Sequence, residues 1–236
     1  MNSSNTWILS YPRSGNHLVR YFVEIMTKRV TLGCIGNEKH DTPICCRPGI
    51  EYLDIVLKEC PVARKSHSAS EIKNASNVLF ILRNPIDTLV SHHFKDDSSQ
   101  VLTKNTAKKG IVDFEKNLNF YDAFRGKKAI VKYEDLVSHS HHLNEKAITA
   151  IANMFDVGDE SVSSTLQNYE RYRSDSLKSP HRKPQSVDEL GTQKLSRSDS
   201  LRQNFPEVYR SLILDADCLL KHSIVVEQYQ DQLEII

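Results

Sequence analysis

Long apolar runs are missing from this chain. No stretch approaches the roughly 18 consecutive apolar residues of a membrane span, so no stable membrane insertion is expected. The residues ahead of Trp7 leave no room for the apolar region of a secretory signal peptide. Cysteine is sparse and oddly placed: five residues, Cys34, Cys45, Cys46, Cys60 and Cys218, with one adjacent pair. That is a poor disulfide framework and fits a reducing compartment, so the expected location is cytoplasmic. An excess of one charge is missing too. Formal net charge is +1, so anion binding has to come from where the cations sit rather than from their number, and nucleic acid is not an expected partner. Cys34, His40, Cys45 and Cys46 can be drawn as a metal site, but their spacing matches no common zinc pattern.

What is present is a core and an alternation. Hydrophobic residues make up 39% and charged residues 26% of the 236 positions, enough for one α/β domain spanning 1–236. "TWILSY" (6–11) reads as a short buried strand, and "HLVRYFVEIMTKRV" after it as a helix with Leu18, Phe22, Ile25 and Met26 on one face. Residues 31–60 read as irregular, with a possible short helix in "EYLDIVLKEC". "PVARKS" (61–66) is a weak strand and "NVLFIL" (77–82) a strong one, apolar enough to be covered on both faces. A helix should start next, with Asn84 as cap, Pro85 at its first position and Asp87 in its first turn. "AIVKY" (129–133) is a further strand, "HLNEKAITAIANMF" (142–155) an amphipathic helix, and "FPEVYRSLILDADCLLKHS" (205–223) a closing helix. Residues 172–203, rich in Ser, Arg and Lys, read as a long mobile basic lid. Strands alternating with helices predict a three-layer α/β/α domain around a parallel sheet, whose ligands bind at the carboxyl ends of the strands.

Two strand ends there carry cations. The first, "YPRSGNH" (11–17), joins a strand to a helix through Arg13, Ser14 and Gly15. A helix N-terminus offers unpaired N–H groups and partial positive charge, Gly15 permits close backbone approach, and Arg13 adds a forked donor. This is a phosphate cradle or an ordinary turn with a surface arginine; the Walker A pattern is absent. In the second, Arg83 ends a strand, and Ser91 lies two turns into the following helix. Two such constructions suit a ligand with two separated anionic groups.

Three segments together resemble the sulfotransferases that use 3′-phosphoadenosine 5′-phosphosulfate (PAPS). "YPRSGNHLVR" is similar to their 5′-phosphosulfate loop, Y-P-K-S-G-T-T-W. "LRNPIDTLVSHH" resembles their 3′-phosphate motif, R-N-x-x-D-x-x-x-S. "AIVKYEDL" (129–136) resembles the strand ending in Y-E-D, and all three stand in family order. The resemblance covers residues 6–137 and implies a fold related to P-loop nucleotide kinases. It implies that Arg13 stands in for the loop lysine, that Asn16 and His17 replace two threonines, and that Ser14, Gly15, Asn16 and His17 line the donor. It further implies Arg83 and Ser91 on the 3′-phosphate and Tyr133 beside the adenine. "ARKSH" (63–67) resembles the family's K-T-H segment, which makes His67 the general base and Lys65 its supporting charge. His17, His92 and His93 are fallback bases, as are Glu38 or Asp41, because many polysaccharide sulfotransferases use a glutamate. In "HRKPQSVDELGTQKLSR", Arg182 and Lys183 are carried over as nucleotide ligands; the family's tryptophan and tight glycine spacing are not there.

The implied reaction moves a sulfuryl group to an acceptor hydroxyl or amine through a loose, in-line transition state, by analogy with phosphoryl transfer. Arg13 and the loop N–H groups would stabilise the leaving oxygen, with Ser91 helping to orient them. PAPS is the co-substrate and no metal is required. The acceptor, a small molecule or a glycan, would be chosen by residues 31–60, 95–125 and the lid. Two rival readings are a P-loop-type nucleotide or small-molecule kinase, and a nucleotide-binding homologue without turnover.

Overall fold

The computed structural model describes residues 5–33, 61–93, 103–177, 201–203 and 206–223, with positions 225, 227 and 229 beyond them. Five strands form one sheet: β1 (Thr6–Ser10), β2 (Thr31–Leu32), β3 (Ala63–Ser66), β4 (Asn77–Leu82) and β5 (Lys127–Lys132). All pairings are parallel and the order across the sheet is β2-β3-β1-β4-β5. The helices are α1 (Asn16–Thr27), α2 (Pro85–His93), α3 (Lys104–Ala123), α4 (Tyr133–Val137), α5 (His141–Met154), α6 (Asp159–Gln167), α7 (Tyr169–Leu177) and α8 (Pro206–Ala216). The chain is therefore the expected three-layer α/β/α domain, with a central parallel sheet and helices on both faces.

The central strands dictate the layers. Side chains alternate along a strand, so Val78, Phe80 and Leu82 of β4 join Leu9 in one core with α2, α3 and α8. Leu79 and Ile81 join Ile8 and Val131 in the other, with α1 and α5. Among the described residues β5 is an edge strand, and lysines at Lys127, Lys128 and Lys132 disfavour further pairing there. Lys128 also donates to the carbonyls of Tyr121 and Asp122, neutralising the C-terminal end of α3. Among the described residues, no helix is long and apolar enough to cross a membrane.

Several local expectations need correction. Leu18 and Ile25 are only half-buried, whereas Val19, Phe22 and Val23 are fully buried. The reason is that α1 is covered beyond the sheet by α5, α6 and α7, which widens its buried face. Even Arg20 and Glu24 are buried there. Arg20 donates to the Thr31 hydroxyl (2.8 Å) and carbonyl (3.1 Å), and Glu24 accepts the Thr31 N–H (3.0 Å) and hydroxyl (2.5 Å). This satisfied network fixes β2 inside a stretch expected to be irregular. The 20-residue helix α3 went unforeseen, although Ala107, Ile111, Phe114, Leu118 and Tyr121 recur at helical spacing and are all buried. Gly110 on that face admits the Tyr11 hydroxyl, which a Cβ there would approach at 3.0 Å. Residues 172–177, expected to be loop, are the end of α7, and 178–200 lie outside the described residues. The closing helix turns into a 3-10 segment at Asp217.

Candidate functional site

The site assembles at the carboxyl ends of β3, β1, β4 and β5, four neighbours in the sheet. His67 follows β3, the Tyr11–Gly15 turn follows β1, Arg83 follows β4 and Tyr133 follows β5. Adjacent strands lie ~4.8 Å apart, so four strand ends span ~14 Å. His67, the Tyr11–Gly15 turn, Arg83 and Tyr133 therefore come to one edge.

The turn after β1 is held in an unusual backbone state. Ser14 N–H donates to the Tyr11 carbonyl at 3.2 Å, and both Arg13 (φ 71°) and Gly15 (φ 88°) are left-handed. A non-glycine residue there is strained, a state that persists where the surroundings enforce it. The enforcement is visible: Arg83 Nη1 donates to the Arg13 carbonyl at 2.8 Å. The Arg83 guanidinium also stacks on the Tyr133 ring, 4.7 Å from its centroid. That ring rests on Gly15 so closely that a Cβ would meet its Cδ2 at 2.1 Å. Arg13 in turn reaches into the second station, its Nε 3.4 Å from Ser91 Oγ. The two cationic stations thus interlock. Gly15 caps α1 with no side-chain hydrogen bond, and no acidic residue sits in that first turn. The Ser14 hydroxyl is fully buried and has no hydrogen-bond partner among the described residues. An uncapped helix start, an orphaned hydroxyl and an exposed arginine fit an oxyanion.

The turn after β4 is finished differently. Asn84 Oδ1 accepts the Asp87 N–H (3.1 Å), as the sequence predicts, and Glu134 Oε1 accepts the Asn84 N–H (2.8 Å). The other Glu134 oxygen accepts the Tyr229 hydroxyl at 2.7 Å. Burial and that carboxylate push the Tyr229 phenol far above its ordinary value. This helix start is closed, so the station's cation is a side chain, Arg83; the buried Ser91 lies two turns on, where it meets Arg13.

His67 sits across β1 from Arg83. Its Nδ1 is 2.9 Å from the Ser10 carbonyl and 3.3 Å from Ser10 Oγ, and Asn16 Nδ2 donates to that hydroxyl at 3.1 Å. Asn117 of α3 clamps the segment, donating to the His67 carbonyl (3.0 Å) and accepting the Ala69 N–H (2.8 Å). Burial first, then the Lys65 charge, with lesser pushes from His92 and Arg20, takes the imidazole down to about 3 against the lift from Ser10. The sequence suggests a histidine that titrates near neutrality; burial keeps this ring uncharged well below that range instead. Lys65 is thus near enough to act on His67. His17 lies on the first turn of α1, and His92 and His93 end α2, with His92 edge-on to Tyr11. Arg182, Lys183, Glu38, Asp41 and the Cys34, His40, Cys45, Cys46 group lie outside the described residues. Among the described residues, no group of His, Cys, Asp and Glu could hold a metal ion. Sequence reasoning missed Ser10, Asn117 and Glu134 as positioning groups. Only Glu134 carried a signal, inside the quoted "YEDL".

No protein-family model matches the chain, and no curated protein matches it. Among solved structures it is similar to a mouse sulfotransferase, SULT7A1, complexed with PAP, at 14% identity and a TM-score of 0.49, covering 95% of this chain and 90% of that one.

Proposed function

We propose that this chain is a PAPS-dependent sulfotransferase, moving a sulfuryl group to an acceptor hydroxyl or amine and releasing 3′,5′-adenosine bisphosphate. The observation that carries this reading is the order of stations across the sheet: base, open anion turn, capped arginine station, aromatic ring. A nucleotide with anionic groups at its 5′ and 3′ ends suits that order. In this scheme the 5′-phosphosulfate lies on the Ser14, Gly15, Asn16 and His17 backbone and on Arg13. Arg83 and Ser91 hold the 3′-phosphate, Tyr133 borders the adenine, and Arg182 and Lys183 are further candidate nucleotide ligands.

The acceptor oxygen gives its proton to His67 as its new bond to sulfur forms, and the bond from sulfur to the 5′-phosphate oxygen breaks. Charge grows on that leaving oxygen, where Arg13 and the uncapped N–H groups stabilise it. His67 begins neutral, as a proton acceptor must. The bound polyanion opposes the Lys65 and Arg20 charges, which raises the basicity of the ring when it is needed. The scheme requires no metal. The test is transfer of labelled sulfate from PAPS to a panel of phenols, alcohols, amines and glycans. Turnover that falls about 100- to 10,000-fold in His67→Asn supports the reading. Phosphate transfer from Mg-ATP instead would make the chain a kinase, and nucleotide binding with no transfer would make it a binding protein.

A further inference from the structure

β4 and β5 run in register to their last pair, Leu82 with Lys132. Just beyond it, the Arg83 guanidinium stacks on Tyr133 and the Asn84 N–H donates to Glu134. A cation and a carboxylate thus leave the same two strand ends one residue apart. A guanidinium beside a carboxylate ordinarily takes it in a forked contact. Arg83 and Glu134 form no such pair: Arg83 Nη1 is on the Arg13 carbonyl, and both oxygens of Glu134 are anchored elsewhere. Oε1 accepts the Asn84 N–H at 2.8 Å, and Oε2 accepts the hydroxyl of Tyr229, 95 residues on, at 2.7 Å. Tyr229 is itself firmly held. Its ring is buried in the same core as Leu82 and Ile86, and Lys132 Nζ lies 5.1 Å from the ring centroid. Burial, then Glu134 and Asp135, push the phenol up while Arg83 pulls it down, so both charges act on that one group.

The geometry points to Tyr229 as a positioning residue of the 3′-anion station: its hydroxyl holds Glu134 away from Arg83 and leaves the guanidinium for an anion. This deepens the sulfotransferase reading and rests on it for the identity of that anion. Without the hydroxyl, Glu134 Oε2 loses its partner and Arg83 is the cation at hand to replace it. The carboxylate then competes with a 3′-phosphate for the same donors. The residue that keeps the station open therefore comes from far along the chain, not from either strand end.

The test is calorimetric titration of 3′-AMP and 5′-AMP into the full chain. Tyr229→Phe removes one oxygen and keeps the buried ring. It should weaken 3′-AMP about tenfold, the scale of one competing charge-assisted contact. 5′-AMP should change less than about threefold, because Nη1 stays on the Arg13 carbonyl, and its binding also shows that the variant is folded. Glu134→Gln alone should bind 3′-AMP at least as well as the wild type: the amide oxygen still accepts from Asn84, and the competing charge is gone. In the double variant the loss should vanish, to within about twofold of Glu134→Gln. A hydroxyl that merely braces the fold would leave the loss in place there. Undiminished 3′-AMP affinity in Tyr229→Phe, a loss that the double variant keeps, equal losses of both nucleotides, or a wild type that binds no 3′-AMP would overturn the proposal. Sulfate transfer from PAPS judges the sulfotransferase reading separately. If the titrations behave as stated while no sulfate moves, the role of Tyr229 stands and the sulfotransferase reading falls.

Discussion

The chain makes the same move twice, strand to polar turn to helix, and finishes it in opposite ways. After β1 the helix start has no side-chain cap and no carboxylate, and the turn carries two left-handed residues. After β4 the helix start is capped by Asn84, braced by Glu134 and followed by Asp87. In sequence the two share an arginine placed between a strand and a helix. Their chemistry differs: the first can wrap an anion in backbone N–H groups, the second can only reach one with side chains. The difference suits a reaction in which charge builds at the 5′ end alone, while the 3′ end serves as an anchor.

Arg83 joins the two turns, because it holds the Arg13 carbonyl while facing the second station. Arg83→Ala should therefore weaken binding of both 3′-AMP and 5′-AMP, the former by about 100-fold, the upper range for a lost charge-assisted contact. Arg13→Ala should weaken 5′-AMP most, by about tenfold, and 3′-AMP less, through its contact with Ser91. Titration of both nucleotides against both variants checks this, and equal losses throughout would erase the distinction between the turns. Gly15→Ala attacks the open turn directly, through φ 88° and the Tyr133 ring. It should cost about 1–3 kcal/mol of stability in urea unfolding and remove 5′-AMP binding.

The flank of the open turn gives a pH signature. The folded His67 value, about 3, lies below the unfolded value, near 6.5. Between these limits the unfolded chain takes up a proton that the folded chain refuses. This group therefore lowers stability as pH falls from 6.5, by up to about 1.4 kcal/mol per unit, and has no effect above it. His67→Asn should lose that slope, which unfolding at pH 5 and 7 would read. The smallest effect belongs to the closed turn: Asn84→Ala should cost about 1 kcal/mol of stability with 5′-AMP affinity unchanged. A loss of that affinity would mean the two turns are not separable.

How much of this was legible depended on whether the signal was local. β4 is apolar on both faces, so its sequence announces a central strand. Asn84, Pro85 and Asp87 spell a helix start because capping is a contact between near neighbours. The first two residues of β5 were missed because an edge strand tolerates Lys127 and Lys128 where a central one does not. The α3 stripe was in the sequence, diluted by exposed lysines and Val112. The closing of the β4 turn by Glu134, 50 residues on, and the grip of Asn16 and Ser10 on His67 are tertiary hydrogen bonds with no local pattern.

The most direct test of the central claim is calorimetric binding of 3′,5′-adenosine bisphosphate, with and without Mg²⁺, against ATP, on the wild type and Arg83→Ala. The account predicts tight, metal-independent binding of the bisphosphate that is preferred over ATP and lost in the variant. A preference for Mg-ATP, or indifference to the loss of Arg83, would contradict it and favour a kinase.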